Sequence, residues 1–257
     1  MKTQEQFLAK AGYYAAVFLV VIGLFSSLSP FVLKNLFNNH ELYRAVIVPL
    51  YGQDYYNSQL ILAEEAGVGM DAGQLEQVPF QDVVHRLLGA IFMLIGLTQF
   101  SKKYRTKYPK WHRNLGKVFL VFSLFIGFGG IVLGIQRPFS GFPETVGVVL
   151  IGLIIIFSAV KGYQAARQKK FIIHKLWMVR VFGTALVVSS LRFWFLVFNL
   201  TVPGVSDVDI FSAATWMAIV THLFAIEYYI GLARPKEIKR KPKPQAKPKV
   251  AEAAVAE

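Results

Sequence analysis

The chain contains no cysteine. That excludes disulfide bridges, thiolate-held metals, iron–sulfur clusters and covalently attached c-type haem, and leaves histidine as its best soft ligand. Histidine is itself scarce, at five residues. Charge is scarce too: 17% of the 257 residues are Asp, Glu, Lys or Arg, against about 25% in soluble domains. With 54% hydrophobic residues and a mean hydropathy of +0.45, the composition excludes an ordinary soluble domain and describes an integral membrane protein. No HExxH helix and no Ser-His-Asp arrangement can be written from the chain. The glycines of FIGFGGIVLG, Gly127, Gly129, Gly130 and Gly134, lack the strand and lysine of a nucleotide loop and suit close helix packing instead.

Apolar runs are what the chain has in abundance. They occupy roughly 11–37, 83–101, 114–136, 145–165, 171–199 and 210–233, each long enough to span a bilayer at about 17 to 25 residues per helix. The expected fold is therefore all-α, an integral membrane bundle of six transmembrane helices. The N-terminal MKTQEQFLAK includes Glu5 and leads into a run too long for a cleaved signal, so it reads as the start of the first span. Pro30 is expected to kink that span, with nearby serines or water serving the freed carbonyl.

A net charge of +13 and a pI near 9.8 would suit nucleic acid only if the cations lined a folded soluble surface. Here they lie between apolar runs, so the expected partner is the lipid bilayer and no nucleic acid. The joints SKKYRTKYPKWHR and ARQKKFIIHK with their flanks, plus the tail, hold 20 of the 28 Lys and Arg residues. The segment 38–82 instead carries seven acidic residues against a single Arg44. By the positive-inside rule both termini are cytoplasmic. The expected organisation is a transmembrane domain over 1–233, with an outer loop at 38–82 whose amphipathic pieces lie on the outer interface or cap the bundle, and a disordered basic cytoplasmic tail over 234–257 whose lysines alternate with proline near anionic lipid.

VVHRLLGAIF at 83–92 is echoed by KWHRNLGKVF at 110–119, placing His85 and His112 in one His-Arg-x-Leu-Gly frame on antiparallel helices, at opposite membrane faces. Four residues on, Gly89 and Gly116 lie on the same helix face and leave a gap. A porphyrin bound through the imidazole needs such a gap, and Arg86 or Arg113 then meets its propionates. In the alternative reading the glycines allow close packing and His-Arg meets lipid phosphates. His174, in FIIHKLWMVR, matches His112 in depth at the inner face. His222, in AIVTHLFAIEYY, lies roughly 18 Å below the start of the last helix and pairs with His85 only if helix two tilts. His40 matches His85 in depth but sits at a loop edge. Arg180 and Glu227 lie at similar depths and are expected to form an ion pair. Arg192 serves a propionate, a quinone carbonyl or snorkels outward, and Gln99 is expected at the interface.

HRLLGAIFMLIGLTQF, HRNLGK and HKLWMVR…LRFW, in that order over about residues 80–195, resemble an uncharacterised bacterial family of multi-pass membrane proteins, a domain of unknown function. The resemblance implies an all-helical membrane fold in the bacterial inner membrane and transfers no activity. A looser similarity is to transmembrane di-haem b cytochromes. The leading functional expectation is a haem-b-binding electron-transfer protein exchanging electrons with a redox partner such as a quinol. His112, His174, His85 and His222 are the candidate iron ligands, and Gly89, Gly116, Arg86, Arg113, Arg180 and Arg192 are placed around the cofactor. The alternative is a transporter or a structural or assembly subunit without haem.

Overall fold

A computed structural model describes residues 2–32, 44–45, 48–49, 52–53, 57, 80–136 and 138–233. His40, most of the 38–82 loop and the 234–257 tail lie outside the described residues. Those described form α1 Lys2–Val32, α2 Phe80–Phe100, α3 Lys102–Lys107, α4 Pro109–Gln136, α5 Phe142–Arg167, α6 Phe171–Ala185, α7 Val187–Thr201 and α8 Asp207–Ala233.

The long apolar runs become helices because a chain crossing hydrocarbon must satisfy every backbone group internally. Stretches in α1, α4, α5, the α6–α7 pair and α8 are long and apolar enough to cross a membrane, and Val84–Phe100 of α2 is a shorter apolar stretch. The result is an all-helical bundle of about six spans, as the runs predict. Many of its large side chains point outward, among them Phe125, Phe128, Leu153, Phe157 and Phe224, as a surface meeting lipid requires.

Helix starts follow local chemistry. Pro109 opens α4, where its missing N–H is no loss, so the helix begins five residues before the apolar run that predicts it. At the start of α5, Glu144 accepts a hydrogen bond from the Ser140 backbone N–H at 2.7 Å and from its hydroxyl at 3.2 Å. At α8 the Ser206 hydroxyl accepts from the Asp209 N–H at 3.2 Å, an N-terminal cap. Between α5 and α6 the chain reverses through a left-handed Lys169 at φ 57°, with Lys169 N–H on Ala166 O and Lys170 N–H on Ala165 O, a Schellman closure. Gly52, at φ +90°, approaches the first turn of α8 so closely that a Cβ there would lie 2.6 Å from Asp207 Oδ2.

The fifth run, expected as one helix, is two. The break falls at Leu186, with φ −73° and ψ −6°, and no proline marks it in the sequence. It lets the halves take different neighbours: α6 packs chiefly on α5, and α7 on α8 and α1. Around the ring, α1 packs on α2, α2 on α4 and α4 on α5, while α2 and α8 share no extended packing. α4 and α5 cross at glycines. A Cβ on Gly152 would lie 2.8 Å from Gly127 O, and one on Gly127 would lie 3.1 Å from Gly152 O, so the two backbones approach as only small residues allow. α1 runs through Pro30 to Val32, and the Ser26 hydroxyl donates to Gly23 O at 3.1 Å.

The core beside the basic end is aromatic. Phe92 of α2 stacks on Phe119 of α4 at 4.4 Å, Phe182 of α6 sits 6.1 and 6.2 Å from the two, and Phe100 stacks on Phe182 at 5.3 Å. Phe92 and Phe119 are almost wholly buried.

Candidate functional site

The α5–α6 reversal sets His174 one turn into α6, facing back along α5. Its Nδ1 lies 2.9 Å from Gly162 O. A carbonyl only accepts, so Nδ1 is the donor in this contact, and in a neutral ring the lone pair is then on Nε2. His222 of α8 repeats the device. Its Nδ1 lies 2.8 Å from Gly183 O in the last turn of α6, where helical carbonyls lose their intrahelical donors. Each imidazole thus leans on a glycine carbonyl of a neighbouring helix and holds Nε2 ready to accept, the arrangement in which a histidine binds a metal.

His112, one turn into α4, lies within direct electrostatic reach of His174 and of Arg105 on α3. Its Nδ1 is buried with no hydrogen-bond partner, as is Nε2 of Gln99 at the end of α2. Buried polar atoms of this kind call for an explanation. The phenylalanine cluster lies deeper along the same helices: Phe119 is seven residues beyond His112 and Phe182 eight beyond His174, about 10 to 12 Å along each helix.

His85 and His222 take different supports. His85 lies against the glycines of α4, where a Cβ on Gly129 would sit 3.2 Å from its Nδ1 and one on Gly130 would sit 3.7 Å from its Cε1. His222 leans on α6. Two of the four FIGFGGIVLG glycines thus make room for an imidazole. The gaps of the repeated frame also differ. Nothing lies within 4 Å of a Cβ on Gly89, whereas one on Gly116 would be 3.4 Å from Gln99 Oε1.

The arginines divide similarly. Arg180 forms a two-pronged ion pair with Glu227, Nε to Oε1 at 2.6 Å and the second nitrogen to Oε2 at 2.8 Å, while its guanidinium sits 4.5 Å over the Trp177 ring. It is committed to α8, as the sequence predicts. Arg192 lies 5.2 Å over Phe211, turned toward the bundle. Arg113 folds back on its own helix toward Pro109 O at 3.5 Å, and Arg86 is part-buried in the first turns of α2. Arg105 is the cation that sequence reasoning passed over. Its signal was the dense SKKYRTK run, read only as a topology marker.

Among the described residues no three His, Asp or Glu side chains converge as a metal cluster. Two imidazoles, His174 with Nδ1 on a carbonyl and His112 with Nδ1 unpartnered, suit an iron whose other four ligands arrive with a porphyrin. On donor chemistry and on the orphaned atoms of His112 and Gln99, the residues present fit haem b.

Residues 83–230, more than half of the chain, match the family described as "Predicted membrane protein (DUF2306)", and the chain belongs to this family of membrane proteins of unknown function. No curated protein and no solved structure matches it.

Proposed function

We propose that this member of the family is a haem-b-binding electron-transfer protein of the bacterial inner membrane, with its principal iron between His112 and His174. The observation that carries the reading is the 2.9 Å contact of His174 Nδ1 with Gly162 O, which leaves Nε2 as the ring nitrogen for a ligand bond, together with the electrostatic influence of His174 on His112. Haem b supplies a one-electron couple. The chain would supply two axial nitrogens, a low-dielectric phenylalanine cluster deeper along the same helices and, through Arg105, a positive charge beside the pair that suits a propionate. Gln99 adds a buried donor for a propionate or a quinone carbonyl. His222 makes the same kind of contact near mid-membrane and is the candidate for a second, independent site, with His85 behind it.

A second reading has its own support. The bonds from His174 to Gly162 O and from His222 to Gly183 O also clasp α6 to α5 and α8 to α6 without any cofactor, as a structural or transport subunit would use them. Protein extracted in mild detergent from cells supplied with haem precursor separates the two. The haem reading expects a Soret band and a sharp reduced α-band. A colourless, folded preparation favours the clasp, and absorption without redox response means adventitious binding.

A further inference from the structure

We propose that the outer face of α4 at its basic end is a binding site for an anionic phospholipid, its phosphate on Lys110 and the α3 cations and one acyl chain along Trp111 and Val118. This stands independently of the haem reading. A cleft of about 180 Å³ is lined by Lys110, Trp111, Asn114, Leu115 and Val118. These positions follow i, i+1, i+4, i+5, i+8, a single helical stripe. Trp111 is 62% exposed and Val118 38%, while Phe119, Ser123 and Gly127 of the same helix are buried. The stripe therefore faces out of the bundle, where the bilayer lies. Its walls are mostly carbon, which suits a chain, with a lysine at the rim.

Charge decides the headgroup. From 101 to 117 the sequence has Lys102, Lys103, Arg105, Lys107, Lys110, Arg113 and Lys117 and no acidic residue. α3 buries none of its residues, so its cations stay at the surface. Glu227, the carboxylate in the last turns of α8, is held by Arg180. Lys107 lies 5.3 Å over the Tyr108 ring, and Tyr104 pairs with Tyr108 at 5.3 Å, amphipathic rings of the kind that settle at headgroup level. A zwitterionic lipid fills the same groove, but its own cation opposes the patch. A phosphate with a neutral headgroup is attracted by about 1 kcal/mol per basic residue, roughly fivefold in association each.

The test uses the full-length protein in vesicles containing brominated phosphatidylglycerol or, at equal mole fraction, brominated phosphatidylcholine. Trp111 fluorescence is taken as the difference between the wild type and Trp111→Phe. The brominated anionic lipid should quench Trp111 with at least fivefold higher relative association at low salt, and the preference should shrink at high salt. Lys107→Gln/Lys110→Gln should lower it several-fold, and Lys107→Arg/Lys110→Arg should retain it, which separates charge loss from any disturbance of the helix. Equal quenching by the two lipids, or a preference indifferent to the glutamine pair, would overturn the site and leave only nonspecific lipid contact.

Discussion

Two regions of the bundle carry histidines, and they are built differently. At the basic end His112 and His174 lie within electrostatic reach of each other, on helices that carry stacked phenylalanines farther along. Farther along the bundle, His85 rests on the glycines of α4 and His222 on the carbonyl of Gly183 in α6. Identical sequence frames around His85 and His112 therefore do not make equivalent sites. What a helix faces decides it: His85 lies against Gly129 and Gly130, whereas the glycine four residues after His112 faces Gln99.

The largest effect expected from this difference is on cofactor content. His112→Ala and His174→Ala should each remove most of the principal haem signal, and the double variant little more, as expected for residues acting as one unit. His85→Ala should leave that signal in place, and His222→Ala should remove at most a second, separable one. Haem per folded protein, measured after size exclusion, checks this. Equal losses from all four substitutions would erase the distinction between the regions.

A stability contrast comes next. Gly152→Ala drives a Cβ to 2.5 Å from Ile131 Cγ1 and 2.8 Å from the Gly127 carbonyl, and backbone cannot step aside cheaply. A loss of about 1 to 3 kcal/mol is expected, read as a lowered unfolding midpoint in detergent. Smaller is the coupling of Arg180 with Glu227, which ties α6 to α8 between the two histidine regions. A double-mutant cycle with Arg180→Met and Glu227→Gln should return a favourable coupling of about 0.5 to 3 kcal/mol. A coupling of zero would make the pair incidental. The smallest effect belongs to Gly89→Ala, where nothing stands within 4 Å of the added methyl. Stability should be unchanged, and a fall in haem content without a fall in stability would mark the Gly89 gap as a cofactor face.

Much of the fold was legible because hydrocarbon imposes a simple rule of length and apolarity, and the runs ending near Phe100, Gln136, Arg167 and Ala233 obey it. The Arg180–Glu227 pair was legible for a related reason, since two opposite charges at one depth in a bundle have few other partners. The break at Leu186 was hidden. HKLWMVRVFGTALVVSS contains no proline, and α6 and α7 differ in which helices they pack on, which the residues do not signal. α3 was hidden inside a basic joint, and with it the approach of Arg105 to His112. At the candidate site, depth alone pointed to His112 with His174. The glycine carbonyls that His174 and His222 contact could not be read, because they depend on which helices stand side by side.

The central claim is that two imidazoles at the basic end share one iron, and low-temperature electron paramagnetic resonance of the oxidised protein, wild type beside His174→Ala, tests it most directly. The wild type should show a low-spin ferric signal of two nitrogen axial ligands, and the variant, still folded and membrane-inserted, should lose it or turn high-spin. The same low-spin signal at the same intensity in both samples would contradict the account.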